Sequence, residues 1–359
     1  MSQLTSSTAT PKKPLGTRQP ISWHYPLVFI LVAVIGLFFV KWSPYYDKAF
    51  VAAASHSIGA SIITGKAAVA PAPSWESALA YATAYFTAVW KAVILGLLLG
   101  SLVQVVIPQN WIRGTLGRKG FGSTALAGAA SLPGMMCSCC AAPVAVGLRA
   151  QSASVGAALA FFLGNPVLNP ATIIFMGFVL SWKFAILRIV AGLVLVFGTA
   201  LVADRLVDSR PAPPELTAQL DAASNGGLFA RWMQALGKLI IDTIPAYLIV
   251  VLVLGAARAW LFPAVGAEWH DGILTLIFLA VAGTLFVIPT AAEIPVVQTL
   301  MSFGLGVGPA VALLMTLPAV SLPSLLIVKR VFPARVLLFV TAAVALVGIV
   351  SGLAAQILF

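Results

Sequence analysis

The feature that most constrains this chain is a series of long apolar segments that together occupy most of its 359 residues. Of these residues, 60% are hydrophobic and 9% are charged, and the mean hydropathy is +1.03. A typical soluble domain is about 45–50% apolar and about 25% charged. A water-soluble globule and a disordered chain are therefore excluded, and three cysteines are too few for a disulfide scaffold. The sequence predicts an all-α polytopic membrane protein.

The apolar segments predict both the number and the positions of the membrane crossings. Each spanning helix takes about 20 apolar residues, so this length accommodates about seven to nine crossings. We predict spans at 27–40, 86–107, 154–180, 184–203, 239–262, 307–328 and 336–359. Two further apolar segments, 121–148 and 272–303, are interrupted, and each fits either a re-entrant hairpin or a full span.

Charge and composition divide the chain into five predicted segments. These are a disordered cytoplasmic tail (1–26), a first transmembrane helix with an extracytoplasmic connection (27–75), a first repeat (76–203), a cytoplasmic linker (204–237) and a second repeat (238–359). The net charge of +11 comes from basic residues between the apolar runs. We attribute it to the positive-inside rule rather than to nucleic acid binding, so the N-terminus is predicted to be cytoplasmic.

The two halves of the chain match each other at a shift of 152 residues. Eight identities occur in 24 positions, including Pro143 with Pro295 and Pro166 with Pro318. If each interrupted segment is a hairpin, each half crosses three times, and the second copy is inverted relative to the first. The basic residues of the loops then fall on one side of the membrane. We predict two inverted repeats, each with a broken or re-entrant helical hairpin.

The first interrupted segment contains all three cysteines of the chain. Between Pro133 and Pro143 it carries Cys137, Ser138, Cys139 and Cys140. Thiolates bind soft ions such as Cu(I) and Zn, and by the same logic trivalent arsenic or antimony. On a regular helix Cys137 and Cys140 share a face while Cys139 points elsewhere, whereas an unwound tip brings all three together. We predict that these cysteines and Ser138 bind a substrate.

The second interrupted segment contains a carboxylate, Glu293, between Pro289 and Pro295. A carboxylate in an apolar segment is costly and marks an ion or proton path, so Glu293 is the predicted proton-coupling residue. Lys91 and Asp242 also lie in apolar runs, where Lys91 fits a snorkelling side chain and Asp242 a helix start. The remaining basic residues near span ends are predicted to be terminal anchors: Arg149, Lys183, Arg188 and Arg258.

Two Asn-Pro pairs, Asn165-Pro166 and Asn169-Pro170, lie within one predicted span. Proline frees the carbonyl one turn earlier, so the helix is expected to kink or open there. The asparagine amides then either satisfy the freed backbone or contact the cargo, and we predict that Asn165 and Asn169 bind the substrate. The predicted hinges and helix breaks are Pro133, Pro143, Pro166, Pro289, Pro295 and Pro318.

Taken together, these motifs resemble the YraQ/ArsP-type predicted-permease family, which includes organoarsenical efflux permeases. The resemblance covers about residue 86 to the C-terminus and rests on the Cys-Ser-Cys run, the Asn-Pro pairs, Glu293-Ile294-Pro295 and the double proline from Pro318. It implies a permease of the bacterial inner membrane, with Cys137, Cys139 and Glu293 at the family's motif positions. Two positions depart from the family pattern, because Cys140 replaces a common glycine and Ala291 an expected cysteine or serine.

The predicted function is secondary, proton-coupled efflux of a small thiophilic solute. The resemblance implies trivalent organoarsenicals such as methylarsenite as cargo, with arsenic resistance as the consequence. Two alternatives remain open: import of a reduced sulfur compound such as thiosulfate, and a membrane thiol oxidoreductase that uses Cys137 and Cys140. No enzyme activity, cofactor or metal site is predicted, since the three histidines (His24, His56 and His270) fall in loops and no ATP-binding loop occurs. The expected partners are the cargo and the lipid bilayer, without nucleic acid, and a homodimer is left open.

Overall fold

The computed structural model describes residues 24–67, 69–207, 227–262 and 272–359, and every named element in these ranges is a helix. Seven helices in the described part are long and apolar enough to cross a membrane. The prediction of an all-α polytopic membrane protein is therefore confirmed. The predicted tail up to residue 23, most of the predicted linker and His270 lie outside the described residues.

The helices follow one another in two comparable series. An N-terminal helix consists of α1 (His24–Leu37) and α2 (Ser43–Ser55), joined by a π-helical turn at Phe38–Trp42. The first series is α3 (Trp75–Val106), α4 (Gln109–Thr115), α5 (Phe121–Ser131), α6 (Ser138–Ala150), α7 (Val155–Val167), α8 (Pro170–Val179), α9 (Trp182–Leu193) and α10 (Thr199–Leu206). The second is α11 (Leu228–Leu261), α12 (Ile273–Leu285), α13 (Glu293–Ser302), α14 (Val307–Ala319), α15 (Leu322–Val328) and α16 (Ala334–Leu358).

Each series contains a long helix, a hairpin of two short helices, a helix broken in its middle and a final long helix. Hairpin 1 is formed by α5 and α6 and hairpin 2 by α12 and α13. The longest of these four helices has 13 residues, which is about 20 Å and too short to cross a bilayer core of about 30 Å. The two ends of hairpin 1 lie together, because the backbone nitrogen of Ser154 donates to the carbonyl of Leu116 at 2.7 Å, and the two ends of hairpin 2 lie together beside Gly352. The two interrupted segments are therefore hairpins rather than full spans.

Hairpin 1 is held against the long helix α3 by close backbone packing. Gly96 and Gly100 lie one turn apart on α3, and a Cβ atom at Gly100 would lie 2.6 Å from the carbonyl oxygen of Pro143. From the other side, a Cβ atom at Gly147 would lie 2.6 Å from the carbonyl oxygen of Gly100. Small residues spaced by four let membrane helices approach this closely. They bring the cysteine segment next to the centre of α3.

The helices are longer than the hydropathy pattern predicted. The first helix continues to Ser55, α3 starts at Trp75 and α11 at Leu228, so helices extend into the predicted linker 204–237 from both ends. Asp204 was assigned to that linker, but it lies in α10, is buried, and accepts a hydrogen bond of 2.6 Å from the backbone nitrogen of Gly156. A carboxylate at the N-terminus of α7 is favourable there, which explains why a charge occurs inside a helix end.

Two of the predicted helix breaks are wrong. Pro143 lies inside α6 and Pro295 in the first turn of α13, and both helices continue past them. Proline in a first turn removes no intrahelical hydrogen bond, and Pro143 removes only one, so neither has to end its helix. His24 likewise begins α1 instead of lying in a loop.

Candidate functional site

The tips of the two hairpins meet at one small buried cavity. Its volume is about 10 Å³, which is room for a single water molecule. The lining residues come from both hairpins and both broken helices, and they are Cys137, Pro166, Thr172, Ile288, Pro289, Thr290, Ala291, Glu293 and Pro318. The cysteine segment and the carboxylate segment therefore share one site, in which Cys137 rather than Cys139 is the thiol next to Glu293.

The non-helical tip of hairpin 1 is stabilised by an asparagine from the broken helix of the same repeat. After α5, Leu132–Gly134 forms a 3-10 turn and Met135 adopts the left-handed region at φ 47°. The side-chain oxygen of Asn165 accepts a hydrogen bond from the backbone nitrogen of Met136 at 3.4 Å, and its amide donates to the carbonyl of Phe161. Asn165 thus satisfies backbone at the tip and does not line the cavity.

The thiols divide between two directions. Cys137 occupies the N-cap position of α6, where its side chain makes no capping hydrogen bond, and its sulfur lies 3.0 Å from that of Cys140. The sulfur of Cys139 lies 3.3 Å from the hydroxyl of Ser321, as does the hydroxyl of Ser138. All three thiols are free and buried, and no group of three metal-binding side chains occurs in the described part of the chain. The first turn of α6 is thus regular, and the arrangement in which an unwound tip unites three thiols is not observed.

Cys139 faces a hydroxyl cluster that both repeats build. Its thiol is within hydrogen-bonding distance of Ser321, and the hydroxyls of Tyr85 and Tyr247 lie close to it. The two tyrosines come from the long helices α3 and α11, which pack on each other, and their hydroxyls are 2.6 Å apart. Ser321 caps α15 at the break of the second repeat, at the position equivalent to Asn169. Hairpin 1 therefore meets the helix break of the opposite repeat.

Hairpin 2 meets the break of the first repeat through a buried ion pair. Glu293 begins α13, and its Oε1 atom lies 2.8 Å from the Nη1 atom of Arg188, with both side chains 1% exposed. The guanidinium also donates to the carbonyls of Pro166 at 2.8 Å and Val167 at 3.0 Å. These carbonyls lack helical partners because Pro170 has no N–H and the next amide bonds to Asn169. The Oε2 atom of Glu293 is buried and has no hydrogen-bond partner among the described residues.

The assignment of Arg188 as a terminal anchor is wrong. Its side chain is directed from α9 into the protein, where the carboxylate and three carbonyls compensate its charge. The signal in the sequence was the same one that identified Glu293, an ionisable residue inside an apolar run. Lys91 is instead exposed beside the Trp90 ring, and Asp242 pairs with Arg330 in an exposed ion pair.

Asn169 acts as a helix cap at the break between α7 and α8. Its side-chain oxygen accepts hydrogen bonds from the backbone nitrogens of Ala171 at 3.1 Å and Thr172 at 3.3 Å. Its amide nitrogen is buried without a partner. Asn169 does not line the cavity, whereas Thr172 and Thr290 do, and the sequence analysis did not name these two threonines. A role for either asparagine in cargo binding remains a prediction.

The N-terminal helix reaches both hairpin tips through its π-helical turn. The ammonium of Lys41 donates to the hydroxyls of Tyr45 at 3.1 Å and Thr290 at 3.2 Å. The indole of Trp42 donates to the carbonyl of Pro133 at 2.8 Å. The sequence analysis placed Lys41 after the end of the first span. In the structure the helix continues past Lys41, and the residue is buried.

A larger cavity of about 420 Å³ lies between the N-terminal helix and the first repeat. Its walls are almost entirely apolar, and at one end it reaches Pro133, Gly134 and Met136 at the tip of hairpin 1. It presents no group for chemistry, so the polar cavity between the tips is the better candidate for a functional site.

The part of the chain that is similar to known proteins includes the residues that form this site. The ArsP_1 family model, described as a predicted permease, matches residues 74–357. The UPF0718 protein YraQ of Escherichia coli is 54% identical over 336 residues, which are 93% of this chain and 95% of that protein. The UPF0718 protein MJ0584 of Methanocaldococcus jannaschii is 24% identical over 261 residues, 55% of this chain and 71% of that protein. No solved structure matches the chain.

Proposed function

Because this chain belongs to the predicted-permease family that its motifs indicated, we propose that it is a secondary permease for a small thiophilic solute, which binds between the two hairpin tips. The observation that carries this proposal is the cavity lined by Cys137 and Glu293, one from each hairpin. Irregular backbone at membrane depth is tolerated where it lines such a site, and transporters built from inverted repeats bind cargo at the interface of their repeats.

The paired thiols suit a single soft atom as cargo. Two sulfurs bound to one central atom at about 2.3 Å each are about 3–4 Å apart, and the sulfurs of Cys137 and Cys140 are 3.0 Å apart. With methylarsenite, each thiol would replace one hydroxyl on arsenic, so that an As–S bond forms, an As–O bond breaks and water leaves. No electrons are transferred. Release reverses this exchange after the hairpins separate.

We place the protein in the inner membrane of a bacterium, with its N-terminus in the cytoplasm. Lys119 donates to the carbonyl of Val207 at 2.6 Å, so the loop before hairpin 1 lies beside the end of α10. Arg330, at the end of the second broken helix, pairs with Asp242 of α11. These contacts support the proposal that the basic residues of the loops lie on one face of the molecule. The positive-inside rule assigns that face to the cytoplasm.

A toxicity panel tests the cargo. If the cargo is methylarsenite, a bacterial host that expresses this protein is expected to grow at higher methylarsenite concentrations than a vector control and to accumulate less arsenic, while arsenite, antimonite and tellurite define the range of cargo. Thiosulfate-dependent growth without any gain in resistance would support import of a sulfur compound instead. A reversible Cys137–Cys140 disulfide that turns over with a substrate would support the oxidoreductase.

Replacing Glu293 by glutamine is expected to remove the pH dependence of transport, because the free Oε2 atom is the position at which we propose that a proton binds. The charged and titratable groups around it are Arg188, Cys137 and Lys41, whose ammonium bonds to Thr290 in the same cavity. Flux into everted vesicles over a series of pH values measures this. Glu76→Gln, an exposed carboxylate at the start of α3, is the matched control. An E293Q profile that matches the wild-type profile would contradict proton coupling at this residue.

A further inference from the structure

Lys41 is a buried cation from outside the duplicated part of the chain. It lies in the π-helical turn of the N-terminal helix, before the range that the family model matches, and is 4% exposed. Single π-helical turns are frequent at functional sites, because the extra residue redirects the side chains that follow it. Here the turn directs Lys41 to Thr290, which lines the cavity between the hairpin tips.

The charge of Lys41 has no carboxylate partner within the described parts of the chain. Its two hydrogen-bond acceptors are the neutral hydroxyls of Tyr45 and Thr290, and its ammonium lies 5.2 Å from the centre of the Tyr45 ring. The one carboxylate at the cavity, Glu293, is already paired with Arg188. The pair contributes no net charge, so the site with Lys41 carries one excess positive charge when its thiols are protonated. A buried charge without compensation is costly, and a partner of opposite sign relieves that cost.

The groups around the cavity could bind an anion that also contains sulfur. Thr290 and Thr172 present hydroxyls that can donate to oxyanion oxygens, and Lys41 supplies a point charge of the kind that binds oxyanions. Cys137 and Cys140 lie close to Lys41, and their S–H groups can donate weak hydrogen bonds to the terminal sulfur of such an anion. The empty cavity has room for only one water molecule, so the anion enters when the hairpins separate.

We propose that Lys41 determines cargo specificity and that the site between the hairpin tips takes a small sulfur-containing anion of the thiosulfate type. This inference rests on the proposed function, because it assumes that the hairpin tips form the transport site. It assigns an anion as the cargo, whereas methylarsenite is neutral and binds thiols through bonds to arsenic. It also gives the N-terminal helix, which neither repeat contains, a direct part in cargo recognition.

Transport by purified protein in liposomes tests this inference with two probes, labelled thiosulfate and methylarsenite. The wild-type protein is expected to carry thiosulfate. Lys41→Met and Lys41→Gln are expected to lower that flux about ten- to hundredfold, since they remove a hydrogen bond from a charged group. Lys41→Arg keeps the charge and is expected to retain most of the flux. Lys91→Met is the matched control, because Lys91 is exposed on α3.

Two results would overturn the inference while leaving the proposed function intact. One is a wild-type protein that carries methylarsenite but not thiosulfate, and the other is a K41M protein that carries thiosulfate at the wild-type rate. A wild-type protein that carries neither probe would refute the proposed function and this inference with it. Size-exclusion chromatography and circular dichroism show whether each variant is folded, and K41Q provides a second neutral variant if K41M is not.

Discussion

Replacing Arg188 by methionine is expected to destabilise the protein by about 3–5 kcal/mol, because it leaves the Glu293 carboxylate buried without a counter-charge. The variant also leaves the carbonyls of Pro166 and Val167 without their donor at the break between α7 and α8. Since Arg188 connects the broken helix of the first repeat to hairpin 2, the loss is expected to loosen the contact between the repeats. Unfolding of purified protein in detergent, followed by circular dichroism, measures the change.

Two further variants distinguish the effect of the lost ion pair from nonspecific destabilisation of the fold. The double variant R188M/E293Q removes both charges and is expected to be more stable than R188M alone, because no unpaired charge remains. Arg330→Met breaks the exposed pair with Asp242 and is expected to cost at most about 1 kcal/mol. If R188M were no more destabilising than R330M, the buried pair would not be the contact that holds hairpin 2.

The double variant C137S/C140S is expected to abolish transport of methylarsenite without loss of fold. For methylarsenite, scaling from structural zinc sites gives about 3 kcal/mol for each sulfur bond, or about a hundredfold in affinity for each thiol removed. Serine is a preferred residue at the N-cap position that Cys137 occupies, so the stability of hairpin 1 should change little. Cargo binding and flux in liposomes measure the effect.

Cys139→Ser is the matched control for that prediction. Cys139 faces Ser321, Tyr85 and Tyr247 and lies on a different side of α6 from the paired thiols. We therefore expect C139S to lower flux much less than C137S does. A loss of flux in C139S as large as that in the double variant would show that Cys139 joins the other two thiols in another conformation. The separation of Cys139 from the Cys137–Cys140 pair would then not hold during cargo binding.

Much of the fold followed from local properties of the chain. Apolar run length identified the spanning segments, and prolines and glycines identified the interrupted ones, because both features act on the helix in which they occur. The 152-residue match between the halves indicated that hairpin 1 and hairpin 2 are counterparts. The pair Cys137 and Cys140 also followed from helical spacing alone, since residues three apart share a face.

The partners of these residues were decided by tertiary structure. Arg188 and Lys41 lie near the ends of apolar runs, where a side chain can point to lipid, to water or into the protein. Only packing against distant segments of the chain selects one of these directions. Arg188 points inward because the broken helix has free carbonyls that accept its hydrogen bonds, and because Glu293, 105 residues away in the sequence, forms an ion pair with it. Lys41 points inward because it lies in a π-helical turn and its ammonium donates a hydrogen bond to Thr290 of hairpin 2. Hydropathy along the chain thus determined which segments enter the membrane, whereas contacts between distant segments determined which charges and thiols share a site.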